Sequence, residues 1–510
     1  MQATSLTRRS ALAAIAGFAA AGASWATAAP DVRGQRPSTD ELLGDAALLQ
    51  RAYEALHPGL YRYNTPVQMS GHFETLRREL ADIPNGSPWL NETYLAFSRL
   101  AGKIRCGHTY ANFYNQSKPV QQALFEPSAC LPLEFRWVGT QMIVTRDLSV
   151  ERHLTPGTEI LAIDRVAAPA LLKRLLPYAR ADGSNDAKRV ALLEVQGLEG
   201  YETFDVFAGL LNPLADHVQL DIRRPQDGAS RQVRVATLTH AQRAAMRHVR
   251  AEDTTSGWRF ERESKALATL TMPSWALYNG KWDWKAFLAQ TFQSLSDQPA
   301  GALVIDLRGN EGGLDVGNEI LPYLTREEIA IPQPPRLVRY RDVPDELNRY
   351  LDTWDDSFRH WGDDAQRLDE RYFELRSDDG HGADLQIAPR EPTYTGQVFV
   401  LVGPDNSSAT FQFAQIVRAS RLGRLVGRTT GGNQRGINGG AFFFLRLPAC
   451  GLELDVPLIA RFTPGHPPDA GLRPDIVTPV SVADIVSGRD AELAAVRSTV
   501  SNAAVRAASV

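Results

Sequence analysis

A chain of 510 residues exceeds one hydrophobic core, so two or three domains are expected. Its 43% apolar and 22% charged content is that of a soluble globular protein. A net charge of −4, with no Lys/Arg-rich run, argues against a nucleic-acid surface.

The first thirty residues stand apart. Arg8 and Arg9 precede a moderately apolar Ala/Gly-rich stretch that ends in Ala26-Thr27-Ala28. This reads as a signal peptide over residues 1–29, cleaved after Ala28 or Ala29. Paired arginines before a weakly apolar core point to the twin-arginine route. A retained membrane anchor is the alternative, and alanine and glycine make that core weak for spanning. No later apolar run approaches spanning length, so the mature protein is expected to be exported, periplasmic or secreted, with no membrane span. Of the three cysteines, Cys106 and Cys130 are nearest in sequence and could pair in an oxidising compartment. Three reduced buried thiols are the alternative. Neither CxxC nor HExxH occurs, so zinc has no support and no cofactor is called for.

Residues 31–40 read as a linker, with Ser38-Thr39-Asp40 as a helix start. Apolar residues then recur at helical spacing (Leu42, Leu43, Ala46, Leu49, Tyr53, Leu56), and further helical patterns follow around 72–81 and 92–104. These define a helical N-terminal domain over 38–127. It contains Cys106-Gly-His-Thr109, which places His108 in a loop after a helix rather than on an apolar face.

Residues 128–240 form a second unit. A hairpin is expected over 131–138 and 141–145, a helix around 170–176 with Pro169 in its first turn, and alternating strands at 218–224 and 232–236. The run Pro156-Gly-Thr-Glu-Ile-Leu-Ala-Ile-Asp164, followed by a helix and two strands, resembles a PDZ domain, with residues 178–213 as a helical insertion. Such domains add a peptide strand to a sheet edge.

After a polar linker (247–264), strand and helix alternate through a third unit, 265–490. Residues 332–392, rich in Arg, Asp, Tyr and Trp, interrupt it and read as a mostly helical, solvent-exposed insertion. Within this unit the stretch 302–323 is strand, glycine turn, helix start. Gly309, Gly312 and Gly313 permit backbone angles closed to other residues, so that N–H groups can face a ligand or a developing anion. A second strand, 398–402, runs into Gly403-Pro-Asp-Asn-Ser-Ser-Ala-Thr410 and a helix; Ser407 and Ser408 there are either capping residues or a projecting nucleophile. A third strand, 424–426, ends in Gly427-Arg-Thr-Thr-Gly-Gly-Asn433. Three strands that end in polar glycine-bearing loops converge on one site in an α/β sheet.

Ile305-Asp-Leu-Arg-Gly-Asn-Glu-Gly-Gly313 resembles the D-L-R-x-N-x-G-G motif of S41 serine peptidases, the group of the tail-specific proteases and tricorn. Ser408-Ala409 is similar to the family's nucleophile element, Gly427–Asn433 to its G-x-x-T-x-G turn, and Gly471–Ile476 to its G-[VI]-x-P-D-[IV] element. The resemblance implies a multidomain α/β protein: a helical N-terminal domain, a PDZ-like β-rich domain and a crotonase/ClpP-like α/β catalytic domain. It implies a peptidase acting on a peptide or protein substrate, with Ser408 as nucleophile.

The tail-specific branch places a lysine directly after the G-x-x-T-x-G turn. Here that residue is Asn433, and 425–440 contains no lysine. The tricorn-like branch instead uses a G-H-T histidine, which His108 matches. A neutral imidazole can take the serine proton and return it to the leaving amine, and it needs an acidic orienter. By resemblance that acid is Asp469, with Asp475 or Glu453 as alternatives. The oxyanion donors implied are the N–H of Ala409 and that of Gly312 or Gly313. Asp306 and Arg308 are expected to brace the loop. Two rival readings remain: a catalytically inactive relative that binds peptides or ligands, and a hydrolase of non-peptide acyl substrates.

Overall fold

The structure is a computed structural model and describes residues 36–247, 257–278, 281–376 and 384–508. The signal-peptide segment lies outside the described residues.

Three helices open the chain: Thr39–Leu56, Pro66–Ala81 and Trp89–Ile104. The first two start at reciprocal capping boxes, Ser38 with Glu41 and Thr65 with Gln68, which satisfy otherwise orphaned N–H groups. The third ends at Arg105 in the left-handed conformation, φ 60°, so the chain turns sharply into the loop that carries His108.

The second unit is an antiparallel sheet in the order Leu133–Val138, Gln141–Asp147, Glu159–Ile163, His217–Arg223, Ser230–Ala236. Its helix runs Ala168–Leu175. The segment 178–213 carries helices Asp186–Leu192 and Thr203–Leu211. One sheet edge is occupied by it: Phe135 and Val195 exchange backbone hydrogen bonds of 2.9 and 3.3 Å.

In the third unit, strands Leu267–Thr271, Ala302–Asp306, Gln397–Val402, Arg424–Gly427 and Ile476–Val477 lie side by side and parallel. A strand at Arg259–Arg262, within the expected linker, adds an antiparallel edge. Because side chains alternate along a strand, Leu303 and Ile305 enter one core with Phe292, Ile320 and Phe413. Val304 and Phe399 enter the other, against Val496 of the helix Ala491–Ala508. Burial on both faces explains why these strands read as unbroken apolar runs.

The insertion 332–392 corrects the expectation of an exposed, mostly helical excursion. Short strands at Arg336–Val338, Leu351–Asp352, Ala365–Arg367 and Phe373–Leu375 extend a long hairpin, Gly436–Arg446 with Glu453–Phe462. Val338, Val343, Leu347, Leu351 and Phe358 are buried in a core shared with the N-terminal helices and the second unit. Apolar groups two or three residues long carry no helical or strand period of their own. Their partners lie about a hundred residues downstream, and that pairing fixes them as strands.

Candidate active site

The carboxyl ends of the three central strands deliver three loops to one place, and asparagines stitch them together. Asn406 Nδ2 donates to the carbonyls of Leu307 (2.6 Å) and Asn310 (3.0 Å), and its Oδ1 accepts from Gly403 N. Its own carbonyl accepts from Gly431 and Gly432 N. Asn310 Nδ2 in turn donates to Met272 O at 2.7 Å. Arg308 pairs with Asp306 (2.7 Å) and Asp490 (2.9 Å), so these residues brace the first loop as expected.

Ser408 begins the helix Ser408–Ala419 with φ 50°, a left-handed angle that strains a non-glycine residue by about 1–3 kcal/mol. Its side chain is partly exposed, and its Oγ is hydrogen-bonded to no other described residue. The Ala409 N–H lies in the first helical turn, where amides have no intrahelical acceptor. Gly312 packs against both: a Cβ there would lie 3.0 Å from Ser408 Cβ and 3.1 Å from Ala409 N. The two glycines differ in a way the sequence did not reveal. The N–H of Gly312 is spent on Asn310 Oδ1 at 3.0 Å. Gly313, at φ 134°, bridges Trp275 through its neighbours, and its own N–H has no partner among the described residues.

His108 enters this cluster from the N-terminal unit. Its loop is fixed on both sides: Gly107 N donates to Asp182 Oδ1 (2.9 Å), Arg180 Nη1 donates to Gly107 O (3.1 Å), and Thr109 Oγ1 meets the buried His57 Nε2 (2.7 Å). The ring packs 6.0 Å from that of Phe442. Burial first, then the charges of Arg180 and Lys188, push its pKa down to about 3, with Glu311 opposing. The imidazole is therefore neutral at physiological pH. Among the described residues no hydrogen bond joins it to Ser408, and its buried Nδ1 has no partner.

Asp469 does not orient that ring. Oδ1 accepts from Ser184 N (3.0 Å) and Asn433 Nδ2 (2.7 Å), and Oδ2 accepts from Ser184 Oγ (2.9 Å). Burial works against its charge, but these hydrogen bonds hold the carboxyl below its ordinary range. Asn433, at the position of the tail-specific lysine, thus anchors Asp469. The alternatives are engaged elsewhere too: Asp475 Oδ2 accepts from Leu425 N at 2.8 Å, and Glu453 lies 3.4 Å from Arg446.

Three residues that sequence reasoning missed surround the site, all from the insertion of the second unit. Lys188, fully buried, places Nζ 2.8 Å from Ser407 Oγ and 2.9 Å from Glu311 Oε1. Arg180 takes the other Glu311 oxygen at 2.9 Å. Asp182 holds the His108 loop. Burial would raise the Glu311 carboxyl, but Arg180 and Lys188 outweigh it and hold it well below the usual carboxylate range. Lys188 Nζ thus donates to both Glu311 and Ser407, and the Ser407 hydroxyl in turn donates to Glu311 O at 3.1 Å. Lysine is scarce in this chain, with seven in all, and a lone one between Asp186 and Arg189 was the only signal available. Among the described residues no cluster of side chains suits a metal ion.

A left-handed serine at a strand-to-helix junction, packed against Gly312 and next to the Ala409 amide, with a neutral histidine whose loop is tied through Arg180 to Glu311, is geometry that can support serine-type hydrolysis. The sequence profile of peptidase family S41 matches residues 266–478, and the unit these residues form belongs to that family, which makes the chain a serine-type peptidase. Two solved structures share its mixed α/β multidomain fold. Mature CPAF complexed with lactacystin is 15% identical, covers 88% of this chain and 96% of its own, and gives a TM-score of 0.61. Mature CPAF gives 0.60, with 15% identity and 88% and 95% covered. At this identity the likeness shows the fold alone. No curated protein sequence matches the chain.

Proposed function

We propose that the protein is an exported peptidase that cleaves peptide bonds through an acyl-enzyme on Ser408, with His108 as general base. The observation that carries this reading is the left-handed Ser408, with Gly312 packed against its Cβ and against the Ala409 nitrogen. Only a residue without a side chain fits there, and the space a Cβ would take is where a substrate carbonyl must approach. Attack by Ser408 Oγ moves its proton to neutral His108 and builds a tetrahedral oxyanion, which the N–H groups of Ala409 and Gly313 receive. Gly312 serves by its smallness, since its own N–H is engaged. The proton then passes from His108 to the leaving amine, and water repeats the sequence to release the acyl group.

Asp469 enters this reading as an anchor of the insertion, through Ser184 and Asn433, and not as the orienter of the imidazole. The sheet of residues 133–236 is PDZ-like in this reading, and the third unit crotonase/ClpP-like. Export rests on Arg8-Arg9, the Ala/Gly-rich run and Ala26-Thr27-Ala28, and implies a periplasmic or secreted protein. Peptidase assays with Ser408→Ala and His108→Ala test the proposal: both must lose hydrolysis while remaining folded. Full turnover by either variant contradicts it.

A further inference from the structure

The insertion 178–213 departs from a compact peptide-binding module, and its polar side chains point to the catalytic unit rather than to a sheet edge. Asn185 Nδ2 donates to the carbonyls of Thr430 and Gly432, both at 2.8 Å. Ser184 holds Asp469. Arg180 joins Gly107, the residue before His108, to Glu311, the residue before Gly312. Lys188 joins the same Glu311 to Ser407, the residue before Ser408. One carboxylate flanked by two cations thus links the three site loops within two residues of each proposed working group.

Stability alone gives little reason for this arrangement. The Lys188–Glu311 pair is buried only on the lysine side, since the Glu311 side chain is 37% exposed, and taking a lysine out of water for a partly solvated carboxylate gains little for folding. The Lys188 side chain is 2% exposed, and every partner of its Nζ lies in a site loop: Glu311, Ser407 and, at 3.5 Å, Asp405. Ser407 precedes the strained Ser408, so fixing its Oγ limits how the left-handed junction can relax. Fixing Glu311 likewise limits the rotation of the peptide units at Gly312 and Gly313.

Building on the Ser408–His108 reading, we propose that the insertion 178–213 is a positioning element of the active site. Lys188 and Arg180 act as positioning residues, locking the base loop, the glycine loop and the serine junction together through Glu311. Neither residue touches the reacting atoms. Loosening the lock should therefore lower kcat and leave KM nearly unchanged, because small misplacements of reacting groups cost rate rather than affinity.

The test is the rate of fluorophosphonate labelling together with kcat, KM and melting temperature, for wild type, Lys188→Met, Glu311→Gln, the double variant and Ser408→Ala. Lys188→Met is expected to slow labelling and lower kcat by about 10- to 100-fold, with KM within about twofold. Glu311→Gln should do the same, and it reports on the same lock should Lys188→Met fail to fold. The double variant should be no slower than the worse single one, because both break one connection. If Ser408→Ala is silent while folded Lys188→Met or Glu311→Gln labels at the wild-type rate, the positioning role is overturned and the serine mechanism stands. Losses that multiply in the double variant also overturn the single lock. Wild-type labelling of Ser408→Ala overturns both proposals.

Discussion

Gly312 sits so close to Ser408 that a Cβ on it would lie 3.0 Å from the serine Cβ. Its φ of 112° is in addition a conformation that side-chain-bearing residues avoid. Gly312→Ala is therefore expected to lower kcat/KM by about 100-fold, the scale on which displacing reacting groups by an ångström acts. Steady-state kinetics with a peptide substrate, beside a melting curve to confirm folding, checks it. An alanine variant of near-normal activity would mean that the substrate carbonyl approaches elsewhere.

The second prediction concerns pH. The pKa of His108 is pushed down to about 3 from the ordinary 6.5, so the native imidazole stays neutral across that interval while the unfolded one protonates. The unfolded state then binds more protons, and native stability must fall as pH drops from 6.5 towards 3. Activity should show no loss centred on 6.5, as an unperturbed histidine would give; the acid limb of kcat/KM should lie lower. Arg180, Lys188 and Glu311 are the charges acting on this ring. Arg180→Met removes one of the two cations and should move the acid limb upward. A pH–rate profile of both proteins decides the matter.

The strand–glycine–helix stretch at 302–323 was legible in the sequence because its apolar run, its glycines and its helix start are local signals. The strand ends at Val402 and Gly427 were legible for the same reason. The role of Lys188 was not, since it spans 219 residues to reach Ser407 and nothing near Lys188 announces the contact. Arg180 is 131 residues from Glu311. Asp469 was selected by its place beside a motif, whereas its partners are set by Gly183-Ser184, which folds against it from another unit. A Cβ on Gly183 would meet the Asp469 carboxylate at 2.0 Å, so that close approach is itself built on a glycine. The insertion 332–392 was misread because its strands take their identity from a distant hairpin.

The cysteines give a third prediction. Cys106, Cys130 and Cys450 are all buried and unpaired, so no Cys106–Cys130 disulfide closes a loop. Burial pushes the Cys106 thiol up to about 12, and Asp182 nearby adds to the shift. Thiolate is the reactive form, so the native protein should resist a thiol reagent at pH 8 and react fully only on unfolding. Reduction should leave the melting temperature unchanged. Titration of free thiols in native and denatured protein measures this.

His57 yields a fourth. Its two ring nitrogens meet Thr109 Oγ1 (2.7 Å) and Gly59 N (3.0 Å), both in buried surroundings. His57→Ala leaves both partners unsatisfied and should destabilise the fold by about 1–3 kcal/mol. Thr109 is next to His108, so kcat should fall as well, through a looser loop. Chemical denaturation and turnover number report the two effects separately.

The central claim is that Ser408 is the nucleophile and His108 its base. Labelling with a fluorophosphonate, followed by mapping of the modified residue, tests it most directly. Wild type should label rapidly at Ser408, Ser408→Ala not at all, and folded His108→Ala much more slowly. Equal labelling of all three proteins, or modification mapped to Ser407, would contradict it.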